Sequence, residues 1–141
     1  MTHAPKFLLT LLFLCIIHFN FAQDFVWAER GGNFAEDYIS KMENSPDGNV
    51  IIAGGYVGSF QIDTVSFPVY GNNAFVAKID EFGHALWGNW FGTGFTVSIK
   101  GIGVDPTTGD VYAAGKYYGS NMVIGGNVLP AKDRRAVPRD R

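Results

Sequence analysis

The sequence predicts an all-β fold built from a repeated four-stranded antiparallel unit, and three observations carry that prediction. Glycine supplies 18 of 141 residues, close to twice the usual ~7%, and it sits at turn positions rather than in a regular triplet. Residues 37–43, 49–56, 73–80 and 85–91 are four short runs rich in β-formers, each bounded by turn residues. The same pattern then returns about 60 positions later. With 47% hydrophobic and 15% aromatic residues, the chain has ample material for a core, and its length fits one domain.

Residues 1–22 are expected to stand outside that domain. Lys6 gives a positive start, residues 7–19 are an almost unbroken apolar run, and Ala22 precedes the polar Gln23-Asp24. This is the layout of a secretory signal peptide cleaved after Ala22. The apolar run is shorter than the ~20 residues a bilayer span needs, so no stable membrane span is expected. The mature chain is then secreted, extracellular or displayed at the cell surface. Cys15 is the only cysteine and leaves with the leader, so no intrachain disulfide can form.

The repeats occupy residues 23–131, with residues 37–91 as the complete copy. Ser45-Pro46-Asp47-Gly48-Asn49 reads as a hairpin turn: Pro46 presets φ, Asp47 can bond back to the backbone, and Gly48 accepts positive φ. Asp80-Glu81-Phe82-Gly83 closes the third run onto the fourth in the same way. Between the second and third runs, Phe60, Ile62, Val65 and Phe67 predict a loop folded against the sheet. Residues 25–28 read as a last strand standing ahead of this copy, because Val26-Trp27-Ala28 matches Leu86-Trp87-Gly88.

A second, partial copy spans 97–130. Gly32 matches Gly92, Ile39 matches Ile99 and Pro46 matches Pro106. One added residue in the 105–110 turn then shifts the register, so that Gly48 matches Gly109, Ala53 Ala114, Gly54 Gly115 and Tyr56 Tyr117. A further added residue brings Ile62 onto Ile124. A repeat of this length with four antiparallel strands points to a β-propeller blade, which buries its faces only against neighbouring blades. Fewer than two copies are present where propellers use about four to eight, so the expectation is an incomplete propeller. The alternative is a small β-sandwich. Either way the strand edge after Tyr118 is a template for self-association.

The residues Trp27, Gly31-Gly32, Gly48-Asn49-Val50-Ile51-Ile52-Ala53-Gly54, Gly58-Ser59-Phe60, Ala74-Phe75-Val76-Ala77-Lys78-Ile79-Asp80, Gly83 and Trp87 together resemble the SBBP repeats. These are bacterial β-propeller repeats of secreted and surface proteins. The resemblance covers roughly residues 25–130 and implies a propeller fold at the cell surface, with almost nothing about activity.

The remaining signals favour a non-enzymatic scaffold or binding module. Lys132 to Arg141 carry five basic and two acidic residues, against five basic and eleven acidic in 23–131, so an irregular basic tail follows an acidic body. That body has no basic stripe, which argues against nucleic acid. His84 is the one histidine of the mature chain and falls in a turn, and no serine is marked as a nucleophile. Asp47, Asn49, Asp105 and Asp110 offer oxygens for weak Ca²⁺ binding, but they lack the spacing and terminal glutamate of a dedicated loop; turn stabilisation explains them, and no cofactor is expected. Among Trp27, Trp87, Trp90, Phe91, Tyr112, Tyr117 and Tyr118, Trp27 and Trp87 recur at the repeat period and read as packing anchors. Trp90 and Tyr118 are the candidate ligand contacts, for an unidentified protein or glycan. The competing readings are a glycan-binding module and a fragment of a larger propeller enzyme.

Overall fold

The computed structural model describes residues 27–28, 30–32, 35–69, 71–93, 95–119 and 121–129. The expected leader and basic tail lie outside the described residues. Those residues form β1 (Tyr38–Asn44), β2 (Val50–Val57), β3 (Phe60–Ile62), β4 (Val65–Phe67), β5 (Asn72–Ile79), β6 (Ala85–Gly92), β7 (Thr96–Val104), β8 (Val111–Tyr118), β9 (Met122–Ile124) and β10 (Asn127–Leu129). Strands alone make up the regular structure among the described residues, so the fold is all-β.

The four runs that the sequence marks as strands are β1, β2, β5 and β6, and they pair antiparallel in that order. Their turns close as the residue types require. At the first, Ser45 N–H donates to the Asn49 carbonyl at 2.8 Å and Gly48 N–H to the Ser45 carbonyl at 3.0 Å, with Gly48 at φ 84°. At the second, the Asp80 carboxylate accepts from the N–H groups of Phe82 and His84.

Alternation along β2 and β5 gives this sheet two apolar faces. One face carries Ile52, Tyr56, Phe75, Ala77 and Ile79, packed with Phe60, Ile62 and Phe67. The last three come from a segment expected as a folded-back loop. It is a β3–β4 hairpin instead, paired Phe60 to Phe67 and Ile62 to Val65, and its alternating aromatic and aliphatic side chains reach the sheet. Tyr56, Phe60, Phe67 and Phe75 form a four-ring cluster with centroids 4.7–6.4 Å apart, within the usual range for favourable aromatic pairs.

The opposite face carries Ile51, Ala53, Ala74 and Val76, and it buries Val97 and Ile99 of β7, with Ile102, Val104 and Val111 partly covered around them. The β7–β8 hairpin thus lies across the first sheet. It is joined to that sheet at one point, the parallel pair Asn72–Thr96. The β9–β10 hairpin then pairs with the edge of the first sheet, Phe91 against Ile124 and Gly92 against Val123.

The sequence repeat is also a repeat of structure. The β1–β2 ladder slips between Ile39 and Lys41, and the β7–β8 ladder slips between Ile99 and Gly101, 60 positions on. Opposite the first bulge, a Cβ on Gly54 would overlap the Tyr38 carbonyl oxygen; opposite the second, one on Gly115 would overlap the Ser98 carbonyl oxygen. The close crossing of two backbones explains why glycine recurs there. Asp63 in the β3–β4 turn has φ 48° and its counterpart Gly125 in the β9–β10 turn has φ 52°. The Gly32 N–H to Gln61 carbonyl bond at 3.3 Å stands where the second copy pairs Gly92 with Val123.

Trp27 and Ala28, expected as part of a strand, lie outside the strands. The Trp27 ring covers the backbone of Gly83 in the β5–β6 turn. Trp87 is a packing residue but a half-buried one, set against the face that receives β7.

Candidate functional site

An apolar groove of about 670 Å³ lies beside the β1 edge. Its floor is the sheet face beside the β3–β4 hairpin, with Ile52, Phe75 and Ile79 buried beneath it. Ile39 and Met42 of β1 form one wall, and Trp27 and Arg30 line another part of the rim. β1 supplies its wall because the bulge between Ile39 and Lys41 changes which residues face inward. Ile39 and Met42 are 58% and 62% exposed, so these two apolar side chains of β1 stand open to solvent.

Arg30 and Asp37 are the charged residues of the lining, and the Asp37 carboxylate accepts from the Val57 N–H at 3.2 Å. Tyr56 closes the far end of the same sheet face, where its hydroxyl donates to the Pro68 carbonyl at 3.0 Å; burial pushes the pKa of that hydroxyl up to about 12. On the other side of the β1–β2 turn, Lys78 pairs with Asp47 and holds that carboxyl well below the usual range.

The candidate cation ligands are engaged with their own turns. The Asp105 carboxylate accepts from the N–H groups of Thr107 and Thr108 at 2.7 and 3.0 Å, which lowers its pKa. The Thr108 hydroxyl donates to Asp110 at 2.9 Å, and Asp47 accepts from the Asn49 N–H. Among the described residues, no group of three or more His, Cys, Asp or Glu side chains is placed to hold a metal. His84 is an exposed turn residue with Nδ1 3.8 Å from Asp63 Oδ2.

Comparison with protein-family models, with curated proteins and with solved structures gives no match. Among the described residues, no helix is long and apolar enough to cross a membrane.

The two aromatic candidates fall on different parts of the fold. Trp90 is half-buried against the core cluster that contains Tyr56 and Phe75. Tyr118 ends β8 with its ring exposed, the Lys116 ammonium 5.7 Å from its centroid and its carbonyl accepting from Thr93 Oγ1 at 2.7 Å. The groove is a feature that motif reasoning misses. Its signal lies in the repeat: Ile39, Met42 and Val50 are the counterparts of Ile99, Ile102 and Val111, of which the first is buried and the other two partly covered in the second copy.

Proposed function

We propose that this chain is a secreted or surface-displayed, non-enzymatic protein of β-propeller-type repeats that acts as a scaffold or binding module. The observation that carries the reading is the seating of β7–β8 across the face of the β1-β2-β5-β6 sheet, with bulge, glycine and turn recurring at the repeat spacing. Face-on-face stacking of like units is how blade-type repeats bury what one unit cannot bury alone. The groove supports a contact role, since its lining is mainly aliphatic and aromatic, a surface suited to a partner's apolar side chains.

Export is tested by expressing the whole chain in a bacterium and weighing the exported product. A chain beginning at Gln23 supports the reading; a chain keeping residues 1–22 in the membrane fraction overturns it. The exposed Tyr118 ring beside Lys116 favours a glycan as a second reading. A glycan array decides that point, with binding that fails in Tyr118→Ala as the supporting result and a blank array as the refuting one.

A further inference from the structure

We propose that a second copy of this chain docks head to tail in the groove, the outer face of β8 from one molecule covering Ile39, Met42 and Val50 of the next. The structure already contains this interface once, inside a single chain. Ile99, Ile102 and Val111 of the second copy pack on Ile51, Ala53, Ala74 and Val76 of the first. Their counterparts in the first copy are Ile39, Met42 and Val50, and these three line the bare groove.

The complementary surface is also present and open. Ile51 and Ala53, which receive β7 inside the chain, correspond to Tyr112 and Ala114 of β8. Both are exposed, Tyr112 at 63%. Each molecule therefore carries two open surfaces, the groove and the β8 half of the receiving face, whose counterparts meet inside the chain. Part of the groove side is even pre-assembled. Trp27, the counterpart of Trp87, lines the groove as Trp87 borders the internal interface, and Gly32 bonds to Gln61 as Gly92 pairs with Val123.

Because the two faces differ, the contact is heterologous and propagates into rings or open chains rather than stopping at a two-fold dimer. This separates it from pairing at strand edges, which would use backbone groups and would not need these side chains. The inference rests on the repeat reading of the fold, and the experiment separates the two.

Sedimentation velocity on the full chain as recovered from the expressing cell provides the test, with Met42→Glu and Tyr112→Glu as paired variants. Both sites are exposed, and circular dichroism checks that the variants fold; Ile39→Lys and Ala114→Asp form a second pair for the same comparison. Wild type is expected to form concentration-dependent oligomers, each variant alone to be monomeric, and the two variants mixed to give a one-to-one dimer. That dimer is the signature of a heterologous contact, since each variant keeps one intact face. Oligomers that survive all four substitutions, a mixture that stays monomeric, or a wild type monomeric at its highest soluble concentration would overturn the proposal. Hydrogen exchange on a monomeric wild type then distinguishes the failures: protected β7 and β8 amides sink the assembly alone, and unprotected ones sink the repeat reading with it.

Discussion

Gly54→Ala adds one carbon where two backbones cross. Its Cβ would overlap the Tyr38 carbonyl oxygen and stand 2.9 Å from Cε1 of Phe75. The ring cannot retreat, because Phe75 is fully buried and surrounded by Tyr56, Phe60 and Phe67. The Tyr38 carbonyl belongs to β1, an exposed strand, so the relief available is a shift of β1 away from its partner. Overpacking of this kind costs about 1–3 kcal/mol, and the yielding edge strand argues for the middle of that range, about 2 kcal/mol. In a domain of this size that lowers the melting midpoint by roughly 8–16 °C. The repeat makes the prediction sharper: Gly115→Ala, facing the Ser98 carbonyl in the second copy, should cost a similar amount. Gly101 is the control, since a methyl group there would meet nothing within 4 Å and its φ is not positive; Gly101→Ala should be neutral or stabilising by about 0.4–1 kcal/mol. Thermal and urea denaturation followed by circular dichroism measure all three. Midpoints for Gly54→Ala and Gly115→Ala that coincide with that of Gly101→Ala would refute the crossing argument.

Three further outcomes follow from the packing and the titrating groups. Phe75→Ala, at the centre of the ring cluster, should cost about 3–5 kcal/mol, and Trp87→Ala, half-buried, only about 2 kcal/mol; the reverse order in urea denaturation would contradict the assigned cores. The Tyr56 hydroxyl is held at about 12 when folded against about 10 when unfolded. Since the folded value is the higher, its contribution is complete below pH ~10 and is lost as pH rises toward 12. Tyr56→Phe should flatten that alkaline decline, and an unchanged slope would count against burial of the hydroxyl. The Asp47 carboxyl is lowered by Lys78, so its contribution is present above the unfolded value of about 3.9 and fades as pH falls below it. The Asp47 carboxylate is half-exposed and solvent-screened, so Asp47→Asn should lower stability slightly at pH 7 and make a smaller difference as pH falls below the unfolded value; a large loss at pH 7 would show that the pair does more than close a turn.

Local structure is legible in this sequence and non-local structure is not. The four β-forming runs are β1, β2, β5 and β6 within about one residue at each end, because period-two alternation and the Pro46-Asp47-Gly48 and Asp80-to-Gly83 turns act within a few residues. The β3–β4 hairpin looks like a loop in sequence since its two-residue turn is Asp63-Thr64, without the glycine that usually announces such a turn; Asp63 takes φ 48° instead. Gly54 and Gly115 are visible as a matched pair, but their reason, a bulge bringing Tyr38 and Ser98 carbonyls onto them, depends on partners 16 and 17 positions away. The groove is hidden for the same cause. Ile39 and Met42 stand three apart, so strict alternation puts them on opposite faces; the bulge between Ile39 and Lys41 and the position of β7 show that they share a surface and what such residues pack on. Trp27 shows the limit of a matched residue: it repeats Trp87 in sequence and lies outside the strands.

The central claim is that the second copy seats on the first, face against face, and methyl NOE spectroscopy measures it most directly. In a chain labelled at Ile, Leu and Val methyls, Ile99 and Val97 should show cross-peaks to Ile51 and Val76, which share one buried cluster with them. Cross-peaks from Ile51 and Val76 that reach no β7 methyl, with Ile99 instead giving only contacts within its own hairpin, would contradict the account.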